Sequence, residues 1–278
     1  MKKLPVYLLL TAISIVMLYP LLWLIGASFK TNSEIFSSAW FMPEHISFDA
    51  YIKGWQTVTP HTMGYYFLNT FKIVIPKTVF AVCSSVVVAY GFARFYFPLK
   101  KFFFALLIGS MLMPQIAVLM PSYMMWSDFF GFNFLDTYVP LIMPSLFACE
   151  GMFVFILVQF FSGVPKEFDE AARIDGCGTL RTLVLVLAPC IRPAIISIAV
   201  FSFLWTMNDF LSPLIYIQSV EKYTLSLALR LSVDSTGQGY EQNKIIAMSV
   251  IGLIPSIAVF ALAQKKFING ITAGGLSG

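Results

Sequence analysis

The stretch VPKEFDEAARIDGCGTL, Val164–Leu180, interrupts a sequence that is otherwise almost continuously apolar. It holds four acids, Glu167, Asp169, Glu170 and Asp175, and two bases, Lys166 and Arg173. The chain on either side is apolar over lengths that suit a bilayer. Reading the stretch as a polar loop between two membrane spans, rather than as a piece of a soluble domain, decides the fold class. Composition supports that choice: 58% of the residues are hydrophobic and 12% charged, against about 25% charged in a soluble domain. A chain so poor in charge cannot cover itself with polar surface, so a lipid-facing exterior is expected. No internal repeat, low-complexity tract or long linker divides the sequence, and residues 1–278 read as one domain. The four cysteines, Cys83, Cys149, Cys177 and Cys190, lack metal-ligand spacing and read as small apolar residues, without disulfide or zinc.

A hydrocarbon core of about 30 Å needs roughly 20 helical residues. Six stretches qualify, at about 4–28, 68–92, 102–125, 138–161, 194–218 and 245–264. The first follows Met-Lys-Lys, but it runs long for a signal peptide and lacks a small-x-small cleavage site, so it is expected to stay as a first span. Placing the N-terminus in the cytoplasm puts 11 of the 18 basic residues on the inner side, including Arg94, Lys100 and Lys101 of the tight turn between spans two and three. That bias follows the positive-inside rule. Both termini are then cytoplasmic, as is the loop around residues 162–192. The fold class is therefore all-α and integral to the membrane, with six transmembrane helices.

Prolines recur at membrane depth, at 20, 76, 114, 121, 140, 144, 213 and 255. Each removes a backbone donor and tends to kink its helix. So many suggest bent helices around a cavity, which suits transport better than anchoring. Within the polar loop, Pro165 suits a first helical turn, Glu167, Asp169 and Glu170 suit the positive helix end, and Gly176 is a natural stop. Thr179 can cap a second helix that climbs toward Pro189. An interfacial helix on lipid would want bases on its polar face and large apolar residues below; with four acids against two bases, and only Phe168 and Ile174 large and apolar, docking onto another protein is the better reading.

The spacing Glu170-Ala171-Ala172, three residues, Gly176, nine residues, Val186-x-Ala188-Pro189 resembles the EAA loop of ABC-importer permeases. Val186 and Ala188 depart from the usual Ile and Leu. The longer run EAARIDGCGTLRTLVLVLAPCIRPA resembles the carbohydrate-importer, maltose-type branch. MPQIAVLMPSYMMW (113–126), NDFLSPLIY (208–216) and the tail QKKFINGITAGGLSG (264–278) are similar to that branch as well. In the fifth-span motif Met207 stands where relatives carry Trp, and Trp205 lies two residues earlier.

The resemblance implies that residues 165–176 form a coupling helix, between spans four and five, seated in a cleft of a cytoplasmic ATPase. Glu170 would make the polar contact, Ala171 and Ala172 would permit close seating, and Gly176 would make the turn. Arg173 and Asp175 read as secondary contacts or as simply solvated. The glycine-bearing tail, 265–278, would reach between two ATPase subunits or hang free. The implied partners are a second, different permease chain, a P-loop ATPase dimer, an extracytoplasmic solute-binding protein, a sugar and membrane lipid, with no nucleic acid. The chain has no G-x-x-x-x-G-K-[ST], so ATP and Mg would be bound by the partner ATPase and no cofactor by this chain. It shows no catalytic cluster, and no catalytic residue is assigned.

Ionisable residues at bilayer depth usually face protein or water. Glu150 in span four and Asp209 in span five stand out, with Asn208, Gln115 and Trp205 as companions suited to hydroxyls and sugar faces. These five are the candidate substrate path, a polar clasp between helices being the alternative. A proton-coupled secondary transporter using Glu150 or Asp209 is the competing function.

Overall fold

The computed structural model describes residues 3–56, 60–234 and 241–275. Nine helices organise them: α1 (Lys3–Ala27), α2 (Met63–Arg94), α3 (Lys100–Met111), α4 (Gln115–Ser127), α5 (Gly151–Gly163), α6 (Glu167–Ile174), α7 (Arg192–Met207), α8 (Leu225–Asp234) and α9 (Gln242–Gly275). Shorter helical turns join several of these. Among the described residues no strand forms beyond a single bridge between Phe129 and Phe132.

Four helical stretches are long and apolar enough to cross a membrane: Leu4–Ala27, Met63–Arg94, Val139–Gly163 and Gln242–Gln264. Two further candidates are bent pairs. α3 and α4 meet at 104°, and Thr179–Cys190 meets α7 at 85°. Six spans result if each pair crosses as one. The expected third span, 102–125, is thus two helices, because Pro114 holds an extended backbone (φ −64, ψ 131) at the start of α4. The expected fifth span, 194–218, is also divided, since α7 ends at Met207 and a separate turn covers Leu211–Tyr216. Pro20, Pro76, Pro121 and Pro255, by contrast, lie inside continuous helices. A proline therefore ends a helix here only where its neighbours also leave helical geometry. The helical backbone of α9 runs through the segment read as a tail as far as Gly275, while Gly278 lies outside the described residues.

Two compact units share the chain. One comprises Met1–Asn69 and Tyr223–Pro255, the other Thr70–Lys222 and Ser256–Gly278. In the first, the Asn69 amide donates to the Tyr223 carbonyl at 3.2 Å, and Asn32 Oδ1 accepts from the Asn243 N–H at 3.0 Å. Lys30 is buried, its ammonium donating to the carbonyls of Ser38 and Trp40.

The second unit has the main core. Phe153, Val154, Leu157, Val158 and Phe161 form one face of α5 at helical spacing and pack with Ala81, Ala89 and Tyr90 of α2. Leu183, Leu187, Ile191, Ala194 and Ile198 complete it. Most other large apolar side chains, including nearly all of α1, are exposed on this chain, as expected where lipid or another subunit supplies the surroundings.

The segment between α4 and Val139 is fastened to residues 216–222 through Asp136, whose backbone is left-handed (φ +56). Its carboxylate accepts from the N–H groups of Gln218 and Ser219 at 3.0 and 2.8 Å, from Ser219 Oγ at 2.6 Å and from Lys222 Nζ at 2.7 Å. Burial pushes this carboxyl up, but the bonds from Lys222, Ser219 and Gln218 outweigh it and hold Asp136 well below the usual carboxylate range. A depressed folded value means the clasp stabilises fully above the ordinary aspartate range near pH 4, and that stabilisation is lost as pH falls through the lowered value. Asp136→Ala should cost on the order of 2 kcal/mol at neutral pH. Thermal unfolding in detergent would show it, with the gap between variant and parent narrowing only in strong acid.

Candidate functional site

The polar insert folds as the helix α6. Glu167, Asp169 and Glu170 occupy its first turn and Arg173 its last, each charge complementing the helix dipole. The helix stops in a Schellman motif: the Cys177 N–H donates to the Ala172 carbonyl at 2.8 Å and the Gly176 N–H to that of Arg173 at 3.0 Å. Gly176 stands at the left-handed position with φ +78 and open space around its Cα. A side chain there would meet backbone strain rather than a clash.

Glu170, Ala171, Arg173, Ile174 and Asp175 are exposed, Ile174 to 86%. Ala172 is buried and belongs to the inner face, where α6 packs on Thr182–Leu187. That stretch is π-helical, closed by the Ala188 N–H bonding back to the Leu183 carbonyl; Pro189, which lacks an N–H and crowds the carbonyl four residues before it, accounts for the widening.

Sequence reasoning missed one feature of this element. Asp169 is not displayed with the other acids but turned inward, three residues from Ala172 and on the same side. Its Oδ2 lies 3.0 Å from Arg94 Nε at the C-terminal end of α2, with the two side chains 17% and 8% exposed. The Nε–H is not aligned for a hydrogen bond to that oxygen, so the contact is an ion pair held by position. Arg94 Nη2 also donates to the Val164 carbonyl at 2.8 Å. The three-residue spacing of Asp169 and Ala172 was the available signal.

At the other end of α5 the helix is broken. Met143–Phe147 is a 3₁₀ turn, Ala148 is left-handed (φ +52), and Glu150 caps the start of α5. Ser145 Oγ donates to Glu150 Oε1 at 2.6 Å, while Ser84 Oγ of α2 donates to the Ser145 carbonyl at 2.6 Å. Glu150 Oε2 is buried and without a hydrogen-bond partner. Gly151 lets α3 come close: a Cβ there would lie 3.3 Å from Ser110 Oγ and 3.4 Å from the Leu107 carbonyl.

The candidate path residues are only partly assembled. Trp205 stacks on Phe153, ring centroids 5.4 Å apart at 17°, and the Phe153 N–H bonds to the Glu150 carbonyl. Glu150 and Trp205 therefore flank one aromatic residue, with half of the indole exposed. Asn208 spends its amide on the Leu204 carbonyl at 2.7 Å, and Asp209 Oδ1 accepts from the Ser212 N–H at 3.1 Å. Both shape the end of α7. Gln115 is exposed at the start of α4. Its helix and the turn after Asp209 border an almost wholly apolar pocket of about 480 Å³ lined by Ile116, Leu119, Met120, Tyr123, Leu211 and Ile215.

The Ser145 bond can be tested by stability. Ser145→Ala should cost about 1–3 kcal/mol, because it leaves the Glu150 carboxylate without its donor. Adding Glu150→Leu should recover much of the loss, because the unmet carboxylate then goes too. A double variant no more stable than Ser145→Ala, by thermal unfolding in detergent, would show that the two residues do not depend on each other.

Residues 81–268 match the family described as "Binding-protein-dependent transport system inner membrane component". The diacetylchitobiose uptake system permease protein NgcG of Streptomyces coelicolor is 27% identical over 261 residues, covering 94% of this chain and 84% of that protein. The arabinooligosaccharides transport system permease protein AraQ of Bacillus subtilis is 28% identical over 269 residues, 96% of this chain and 92% of that one. Among solved structures, a chain of a bacterial ABC transporter that imports the acidic polysaccharide alginate shares the fold with a TM-score of 0.78 at 21% identity, over 96% of both chains.

Proposed function

The chain belongs to the family of binding-protein-dependent transport system inner membrane components, and from that premise we propose that this multi-pass membrane protein is a permease subunit of an ATP-driven importer for an oligosaccharide or related sugar. Two of its relatives are named for oligosaccharide uptake. The competing reading, a proton-coupled secondary transporter, is not favoured, because the family's name ties transport to a binding protein. Both termini and α6 lie in the cytoplasm in this reading, the six spans counting each bent pair as one.

The observation that carries the coupling assignment is α6 itself. A charged helix, exposed along Glu170, Ala171, Arg173, Ile174 and Asp175, is fixed at one end by a glycine turn and stands between two apolar segments. That surface suits a cleft on a cytoplasmic ATPase, with Glu170 and Arg173 making polar contacts and Ile174 filling an apolar recess. Ala172 works from the inner side, holding α6 close to its own bundle. ATP and Mg are bound by that ATPase, so this chain is a non-catalytic subunit. A second, different permease completes the translocation path and covers apolar surface that this chain leaves open. An extracytoplasmic binding protein delivers the sugar.

At the substrate side, the half-exposed Trp205 and the unmet Glu150 Oε2 are the groups best suited to a sugar face and a sugar hydroxyl. Asn208 and Asp209 shape the end of α7 beyond Trp205, and Gln115 stands apart at the start of α4.

Purification of the tagged chain from native membranes in mild detergent, followed by mass spectrometry of its companions, tests this reading. A P-loop ATPase and a second permease are expected; recovery of the chain alone, under conditions that preserve such complexes, would contradict it. Gly176→Trp should leave membrane insertion intact and lower ATP-dependent uptake at least about tenfold, since the turn that presents α6 needs a backbone that costs an L-residue about 1–2 kcal/mol.

A further inference from the structure

We infer that Arg94 is a positioning residue that ties the coupling helix to the C-terminal end of α2, so that movement of α6 is delivered to α2 as well as to its neighbours in sequence. The inference rests on the coupling assignment made above.

Sequence connects α6 to the bundle in only two ways. Upstream, Val164, Pro165 and Lys166 lead in from α5. Downstream, the path to α7 runs through the π-helical Thr182–Leu187 and an 85° bend near Ile191. The downstream route can flex, because wide turns and sharp bends are where helices yield. α2 has no covalent link to α6 nearer than the whole length of α3, α4 and α5.

Arg94 supplies what the sequence does not. One guanidinium holds two points: Nε faces Asp169 on α6 itself at 3.0 Å, and Nη2 bonds to the Val164 carbonyl on the lead-in at 2.8 Å. Two attachments fix an orientation, where one would leave a pivot. The pair is largely shielded from solvent, and separating such charges leaves each without a partner in a poorly polar setting. Tyr90, one turn before Arg94, packs its ring on Phe161 of α5 at 5.9 Å and edge-on to Phe95 at 5.3 Å. The end of α2 is therefore braced against α5 as well as held to α6. A lysine could keep the charge but not both contacts, because only the planar fork spans them.

Tyr96, 96% exposed in the turn two residues past Arg94, offers a place for a reporter cysteine outside the span. With the four native cysteines replaced by Ser and Tyr96→Cys introduced, the intact complex with its ATPase and sister permease would be reacted with a maleimide, with and without ATP–vanadate. We expect trapping to change the reaction rate of that cysteine in the parent. Arg94→Gln and Asp169→Asn should each shrink that response on the order of fivefold, the scale of ordinary coupling between sites, and Arg94→Lys should fall between. Vanadate-trapped nucleotide would confirm that the ATPase still closes in each variant. A response retained in both variants overturns the inference, as does a parent complex whose reporter cysteine ignores the nucleotide. Variants that merely lower the amount of complex, with the response per complex intact, would mark the pair as structural only and equally overturn it. A parent chain that assembles with no ATPase would instead overturn the coupling assignment itself.

Discussion

Helices surrounded by lipid gain little from the hydrophobic effect when they associate, so contact area must hold them together. In the larger unit that contact is made where Ala81 and Ala89 present almost no side chain on α2, and Phe153, Leu157 and Phe161 of α5 fill the space. α5 is only 13 residues long, about 20 Å at the helical rise. Yet it begins one residue after Glu150 and ends one residue before Val164. Its seat on α2 therefore fixes both the broken segment that carries a buried carboxylate and the lead-in to α6.

The irregular backbone on either side of α5 follows from the same constraint. In a bilayer, N–H and C=O groups released from a helix must find partners within protein. At the Ala148 break, Ser84 Oγ serves the Ser145 carbonyl and Ser145 Oγ serves Glu150. At the lead-in to α6, Arg94 serves the Val164 carbonyl. Between α4 and Val139 an aspartate gathers two N–H groups, a hydroxyl and an ammonium. Each of these three departures from helix is held by a side chain from elsewhere in the same unit. The exception is Glu150 Oε2, which is buried without a hydrogen-bond partner.

Local chemistry made much of this legible before any coordinates. The Schellman stop at Gly176 was readable because glycine tolerates the left-handed turn at so little cost. The acids of α6 fell at its N-terminal end as the helix dipole favours. The proline content pointed to bent helices, but not to which prolines would bend them: Pro114 marks a 104° break, while Pro76 sits in a continuous 32-residue helix. At Pro114 the backbone itself turns extended (φ −64, ψ 131), whereas at Pro76 the helix continues. Asp169 looked like one more exposed acid, and only the burial of Ala172 on the same side shows it turned inward.

By itself, then, the sequence determined an all-helical membrane chain, the place and stop of its polar helix, and its family, since these depend on apolar length, helix-end chemistry and motif spacing along the chain. Tertiary structure decided which candidate groups meet. Glu150 and Trp205 flank Phe153, Gln115 stands apart and exposed at the start of α4, and Arg94 reaches Asp169 across three intervening helices. Those pairings depend on how helices cross and how closely small residues let them approach, and spacing along the chain carries no record of either.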